Sequence, residues 1–378
     1  MQEFIAKVGK GQKACKDLTW EEAKQAMRLL IEGRATPAQV GAFLLAMRFK
    51  MESVAELAAF TAAARGYVPA LTVSRELPLV DLPTYAGKRD TFHAAIGAAI
   101  VAAASGAAVL MHGHDGVPDR PGTMPVLAKL GIPTEQMPAQ VAAQLEATGF
   151  AYLDLALYHP PVAKFLELRG ELGVRNLFHL VAKMLNPARA ASQVIGVSHP
   201  PYFEKTVEAL KMLGSPRALV LRGVEGDPEL SLVTLTKVLE LRDERVVRLN
   251  LQAKDVGMAP AAVREMAGFS RANLDHEAVL LKRILGNEVG GGPRGWVVLN
   301  AAVLLYAAGK ASSISAAVPA AVHALDSGAA RRKLDELTAS GRLAGPEREQ
   351  PGSPGYAQTS RPGLSPKADP TPSEAVAR

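Results

Sequence analysis

Two rhythms of apolar and polar positions divide the chain. The first seventy residues are punctuated as short helices, and the remainder alternates brief apolar runs with helical segments. Thr19 with Glu22 predicts a capping box for a helix over residues 20–31, and Gly33 ends it. Thr36-Pro37 predicts an N-cap with proline at the first helical position, opening a helix that runs to about Phe49. Ser53 with Glu56 repeats the capping box for a third helix that stops near Gly66. From Leu77 onward, residues 79–80, 108–111, 193–197, 218–221 and 232–237 read as strands. Residues 125–130, 138–148, 202–213, 276–285 and 295–308 read as helices between them. This alternation predicts an α/β fold: a small N-terminal helical domain, then a larger domain with a mostly parallel sheet covered by helices. The expected boundaries are 1–72 for the helical domain, completed by helices around 160–190, and 73–342 for the α/β domain. Beyond Arg342 the chain turns to Pro, Gly, Ser and Glu without periodicity, so residues 343–378 are expected to form a disordered tail.

Composition narrows the class. With 378 residues, 48% of them apolar, the chain can bury a large core, and its many alanines and few aromatics suit helices packed on a small-residue sheet. The single cysteine, Cys15, excludes an internal disulfide framework, and no Cys/His cluster has metal-ligand spacing. No charged segment followed by an apolar one opens the chain, and no long uncharged apolar run follows. A soluble, cytoplasmic protein with no membrane partner is the expectation. A formal charge of +6 leaves room for a polyanionic partner.

The densest chemical signal lies in residues 80–122. An apolar strand enters the turn Pro83-Thr84-Tyr85-Ala86-Gly87-Lys88-Arg89, then a small-residue helix and a second strand follow. In parallel α/β proteins this is where backbone N–H groups at a helix N-terminus cradle a phosphate. Here Pro83 lacks a donor and Tyr85 blocks close backbone approach, so a tight glycine cradle is not available. Two cations and an aromatic ring remain. Lys88 and Arg89 are read as opening the helix, where cations oppose the macrodipole unless an anion sits between. Lys7, Lys10, Lys13 and Lys16 recur every three residues in a glycine-containing segment poor in acids. His93, His112, His114 and His179 read as packed or capping groups. The run from Gly290 to Gly295 lacks the Gly-Lys-Ser/Thr ending of a P-loop and reads as a flexible connector before a helix at Trp296.

Residues 33–50, 158–189, 195–223 and 299–309 resemble the anthranilate phosphoribosyltransferase family of glycosyl transferase family 3, with the match running over about 18–337. The resemblance implies the nucleoside phosphorylase and phosphoribosyltransferase type of fold. Against the family's Gly-Thr-Gly-Gly-Asp pyrophosphate loop stands Pro83-Thr84-Tyr85-Ala86-Gly87, in which only Thr84 agrees. The family's Asn-x-Ser-Thr run corresponds to His93-Ala94-Ala95-Ile96, and its Lys-His-Gly-Asn-Arg strand end to Met111-His112-Gly113-His114-Asp115. Its magnesium-holding Asp-Glu pair becomes Asp227-Pro228-Glu229, which leaves Asp227 and Glu229 as weak metal candidates. Arg169 matches the arginine that contacts the aromatic acid. Residues 5–18, the PTYAGKRD turn, GVRNLFHLVAKM, GVSHPPY and RGVEG resemble a divergent, YbiB-type nucleic-acid-binding branch. That branch implies a homodimer binding DNA or RNA with little sequence preference through a basic groove, with no catalytic residue and no cofactor. The contacts expected are Lys7, Lys10, Lys13, Lys16, Tyr85, Lys88, Arg89, Arg169, Arg175 and Lys183, with Arg189 among the nearby cations and Tyr85 stacking on an exposed base. The alternative is an enzyme transferring phosphoribose to an aromatic acceptor, which would require magnesium; a phosphorylase of related fold is a third reading.

Overall fold

The computed structural model describes residues 1–11, 14–85, 91–115, 122–223, 228–266 and 273–343. The helical region begins with α1 (Gln2–Val8), α2 (Trp20–Ile31), α3 (Pro37–Lys50) and α4 (Val54–Arg65). All three expected helix starts are present. Thr19 accepts the Glu22 N–H while Glu22 accepts from Thr19 N, and Ser53 with Glu56 does the same. Thr36 forms a third such box with Gln39, a partner not foreseen. Helix α1 was not foreseen either; it holds through Phe4 and Val8, which enter the core. Glu56 ties the region together, accepting from Leu18 N at 2.8 Å and from Lys50 Nζ at 2.6 Å.

The α/β region runs β1 (Leu79–Thr84), α5 (Ala94–Ala104), β2 (Ala108–Gly113), α6 (Thr123–Leu130), α7 (Pro138–Thr148), β3 (Phe150–Asp154), α8 (Leu155–Tyr158), α9 (Pro160–Leu172), α10 (Phe178–Val181), β4 (Ser192–Gly196), α11 (Pro201–Met212) and β5 (Arg217–Gly223). Then come β6 (Thr236–Arg242), β7 (Arg245–Leu251), α12 (Val263–Met266), α13 (Leu274–Leu285), α14 (Gly291–Ala307), α15 (Ile314–Asp326) and α16 (Ala329–Leu343). One seven-stranded sheet has the order β3-β2-β1-β4-β5-β6-β7. Strands β1 to β5 are parallel, and β6 and β7 are antiparallel, so the sheet is mostly parallel as expected.

Alternation along the strands sends side chains to two cores. Val80, Val109 and Phe150 face α5 and α14, while Leu79, Leu110 and Ala151 face the helical region. Tyr158, Val162 and Phe178 from α8, α9 and α10 join that second core with α1 to α4. Residues 1–344 cluster as one compact unit.

Three local expectations are corrected. Pro83 and Thr84 lie in β1, not in a turn; β4 pairs β1 only at Val80 and Asp81, and beyond that edge a residue without an N–H is tolerated. The strand expected over 232–237 begins only at Thr236, because the Ser231 hydroxyl accepts the N–H groups of Val233 and Thr234 and folds a turn. The glycine run is no connector: α14 starts at Gly291, and Gly292 N donates to Glu265 Oε2 at 2.9 Å. A Cβ at Gly292 would lie 2.9 Å from Ala261 Cβ, so the small residues let the helix start approach its neighbour.

Candidate functional site

Strands β1 and β2 lie side by side at the sheet centre and bring a buried polar chain together. His112 Nε2 lies 3.1 Å from the Asp81 carboxylate, and its Nδ1 lies 2.6 Å from the Tyr85 hydroxyl. The Tyr85 hydroxyl in turn lies 2.8 Å from that of Tyr158. Burial pushes both tyrosines far above the usual phenol range, so each keeps its proton. His112 Nε2 and Asp81 Oδ1 lie within ion-pair distance but make no hydrogen bond to each other, so the chain is anchored through Nδ1 and the two hydroxyls. The expectation of base stacking by Tyr85 is therefore corrected: the ring is 3% exposed and its hydroxyl serves as an internal anchor.

The residues that correspond to the family's phosphate and metal ligands surround a cavity of only about 60 Å³. Pro83, Thr84, His93, Lys183 and Glu229 share its wall with the apolar Leu82, Val194 and Leu304. The protein's own carboxylates hold the adjoining helix N-terminus. Glu229 Oε1 accepts from Ala95 N at 3.2 Å, and Glu277 Oε1 accepts from His93 N at 2.5 Å and meets the His93 ring at 2.7 Å. A phosphate approaching α5 would find these donors taken and two acids in place. The strand end is closed as well: a Cβ on Gly196 would fall 2.1 Å from the Pro228 carbonyl oxygen. Thr84, the one residue kept from the loop pattern, donates its hydroxyl to His112 O at 3.1 Å.

Of the pair that corresponds to the family's magnesium-holding acids, only Glu229 is described. Glu229 is buried with one oxygen on a helix N–H, and Asp227 lies outside the described residues. Among the described residues no three His, Cys, Asp or Glu side chains gather as a metal site.

A second cavity, of about 290 Å³, opens on the other side of Lys183. Arg48 of α3, Arg169 of α9, Arg175, His179 of α10, Lys183 and His199 line it, and none of its described lining residues is acidic. The titrating groups register the accumulated charge. Burial, then Arg175, Arg169 and Lys183, lower the His179 pKa to about 3. Burial, then Arg175, lowers Lys183 to about 7, while burial, Arg48, Arg175 and Arg222 lower His199. Burial is the largest cause in each case, and the neighbouring cations add to it in pushing each group toward its neutral form.

The structure sorts the expected contacts. Arg169, Arg175 and Lys183 meet in this cleft. Lys183 is not a solvent-facing cation as expected; it is buried and donates to Gly196 O. Lys7 forms an ion pair with Glu22 at 2.5 Å, which corrects its reading as a phosphate contact. Lys10 and Lys16 are exposed but do not line the cleft, and Arg189 lines a different cavity. Lys13, Ala86, Gly87, Lys88 and Arg89 lie outside the described residues. Helix α5 begins at Ala94, with Thr91 to His93 non-helical before it, so it does not open on Lys88 and Arg89. Sequence reasoning missed Arg48 and His199 as cleft residues. Arg48 carried a usable signal as a basic residue in the last turn of an apolar helix; His199 carried none.

Comparison with known proteins agrees with this architecture. The helical bundle domain of a glycosyl transferase family matches residues 2–67, and the a/b domain of that family matches residues 78–331. The anthranilate phosphoribosyltransferase of Anaeromyxobacter dehalogenans strain 2CP-C is 36% identical over 340 residues, covering 90% of this chain and 98% of that protein. That of Acetivibrio thermocellus is 32% identical over 337 residues, covering 89% of this chain and 95% of the relative. The crystal structure of anthranilate phosphoribosyltransferase from Thermus thermophilus superposes with a TM-score of 0.80 at 32% identity, over 90% of this chain and 98% of that one. The Saccharomyces cerevisiae enzyme in complex with PRPP and Mg shares the fold, with a TM-score of 0.78 at 18% identity, over 90% of this chain and 98% of its own. With the helical bundle, the a/b domain and full-length relatives all in agreement, this chain belongs to that glycosyl transferase family.

Proposed function

We propose that this family member binds the phosphate backbone of DNA or RNA in its cationic cleft, without strong sequence preference, in place of transferring phosphoribose. The carrying observation is the cleft of about 290 Å³ walled by Arg48, Arg169, Arg175 and Lys183 with no acid in its described lining. Arginine forks match phosphate oxygens in pairs, and neutralising phosphates releases counterions, which gives affinity that is independent of sequence and sensitive to salt. The small size of the neighbouring cavity, with Glu229 and Glu277 on its helix start, supports the loss of phosphoribosyl chemistry. The reading extends to a cytoplasmic homodimer of the YbiB type. Leu45 and Phe49, 40% and 72% exposed on α3, support a covered helical face.

The names of the relatives favour a second reading, a phosphoribosyl transfer enzyme with an aromatic acceptor. Two assays on the same preparation separate the two. Filter binding against single- and double-stranded DNA at about 50 mM salt should show retention that falls steeply as salt rises. Anthranilate fluorescence with phosphoribose diphosphate and magnesium should show no turnover. Consumption at about 1 per second, within the ordinary enzyme range, with no nucleic-acid retention, would put the enzyme first.

A further inference from the structure

The largest of the described cavities, about 500 Å³, lies at the opposite, N-terminal end of the parallel strands. The cleft is lined by Val197 and Ser198, just beyond the C-terminal end of β4, whereas this cavity is lined by Ala190, Ser215 and Pro216, just before β4 and β5 begin. It falls within the range of ligand pockets, roughly 300–1,000 Å³. None of its described lining residues is acidic, and two are arginines, Arg65 and Arg189.

Both arginines are held in place. Arg65, at the end of α4, donates Nε and Nη2 to Met184 O at 3.0 and 2.7 Å. Burial lowers its pKa; the charge of the Asp81 carboxylate opposes this, and Arg189 adds to the lowering, so the two guanidiniums sense each other. Arg189 sits at φ 51, a left-handed conformation uncommon for a residue with a Cβ. The turn that imposes it is built by Asn186, whose side chain accepts from Ala190 N at 2.8 Å and donates to Ala190 O at 2.9 Å. The remaining wall is mixed: Val68, Leu71, Leu185, Leu213 and three prolines stand beside Thr72, Asn186 and Ser215.

We propose that this cavity is a binding site for a small organic anion, its carboxylate or phosphate head between Arg65 and Arg189 and its apolar body against Leu71, Leu185 and Leu213. Two guanidiniums lining one cavity suit an oxyanion with more than one acceptor oxygen, and Leu71, Leu185 and Leu213 offer apolar contact that a bare inorganic ion cannot use. The site is separate from the cleft and does not depend on what the cleft binds.

Calorimetric titration of the full chain with 1-naphthoate and 1-naphthyl phosphate tests it, because the two probes share a body and differ in the head. At least one should bind below about 1 mM, and which one identifies the head group. Arg189→Gln should weaken that binding at least tenfold. So should Arg189→Gly, which removes the guanidinium and suits the backbone conformation, so lost binding cannot be laid to a strained fold. Arg169→Ala with Arg175→Ala should leave it unchanged. Failure of both probes to bind overturns the proposal, as does binding that survives both Arg189 variants or is abolished by the cleft variant. Inorganic phosphate binding as tightly as naphthyl phosphate would overturn the role given to the apolar contacts.

Discussion

The two cavities that meet at Lys183 have almost opposite chemistry. One, about 60 Å³, is small and has its helix N-terminus capped by Glu229 and Glu277. The other, about 290 Å³, is larger and lined by cations that add to burial in pushing Lys183, His179 and His199 toward neutrality. Acids at a helix start are stabilised by the dipole and need no ligand. Cations gathered without acids repel one another, and an anion relieves them. A shared fold therefore does not carry a shared site chemistry, and the placement of charge distinguishes the two pockets better than the position of either.

The hardest test of this contrast removes the cations. Arg169→Ala combined with Arg175→Ala should weaken nucleic-acid binding by about 150-fold or more, at about 1.5–3 kcal/mol per charge-assisted contact, and lower the salt slope on duplex DNA by about two. Wild-type affinity in a salt titration of that variant would break the comparison from the cationic side. The packing of the smaller cavity is tested by Gly196→Ala. Its Cβ would meet Pro228 O at 2.1 Å, so a denaturant melt should show a loss of about 1–3 kcal/mol. A wild-type melt would show that the strand end has room.

A smaller effect sharpens the contrast through pH. Lys183, with its pKa lowered to about 7, must take up a proton to meet a phosphate above that pH, so affinity should fall by up to about tenfold per pH unit above pH 7. Lys183→Met should flatten that profile. For stability the sign is opposite: the folded pKa lies below the unfolded value, so the unfolded chain binds more protons in between. Stability should rise as pH climbs from about 7 toward the usual lysine pKa in the wild type, and not in Lys183→Met, as thermal melts across that range would show. The smallest effect is none at all. Truncation after Leu343 should leave the melting temperature unchanged, since the following segment has no apolar face to bury.

Local signals were legible and long-range ones were not. The capping boxes of α2 and α4 could be read because their partners are three residues apart. The departure of Pro83 and Tyr85 from the family's loop pattern could be read from those residues themselves. The partners of the adjoining helix start could not, because Glu277 meets His93 across 184 residues and Glu229 reaches Ala95 across 134. Strand β7 escaped because its RVVRLNL sequence is largely exposed and carries no apolar run. Lys183 and Lys7 looked alike as cations; burial of one and the Glu22 partner of the other set them apart.

The Arg65 fork on Met184 O has a kinetic consequence. It ties the end of α4 to the residue after Lys183, whose amine is tied in turn to Gly196 O. Displacing the segment that carries Lys183 would break two hydrogen bonds from a charged donor, so this part of the cleft wall is set before any ligand arrives. Encounter then involves no opening step. The association rate constant should follow diffusion and electrostatic steering, remaining first order in ligand with no plateau at high concentration.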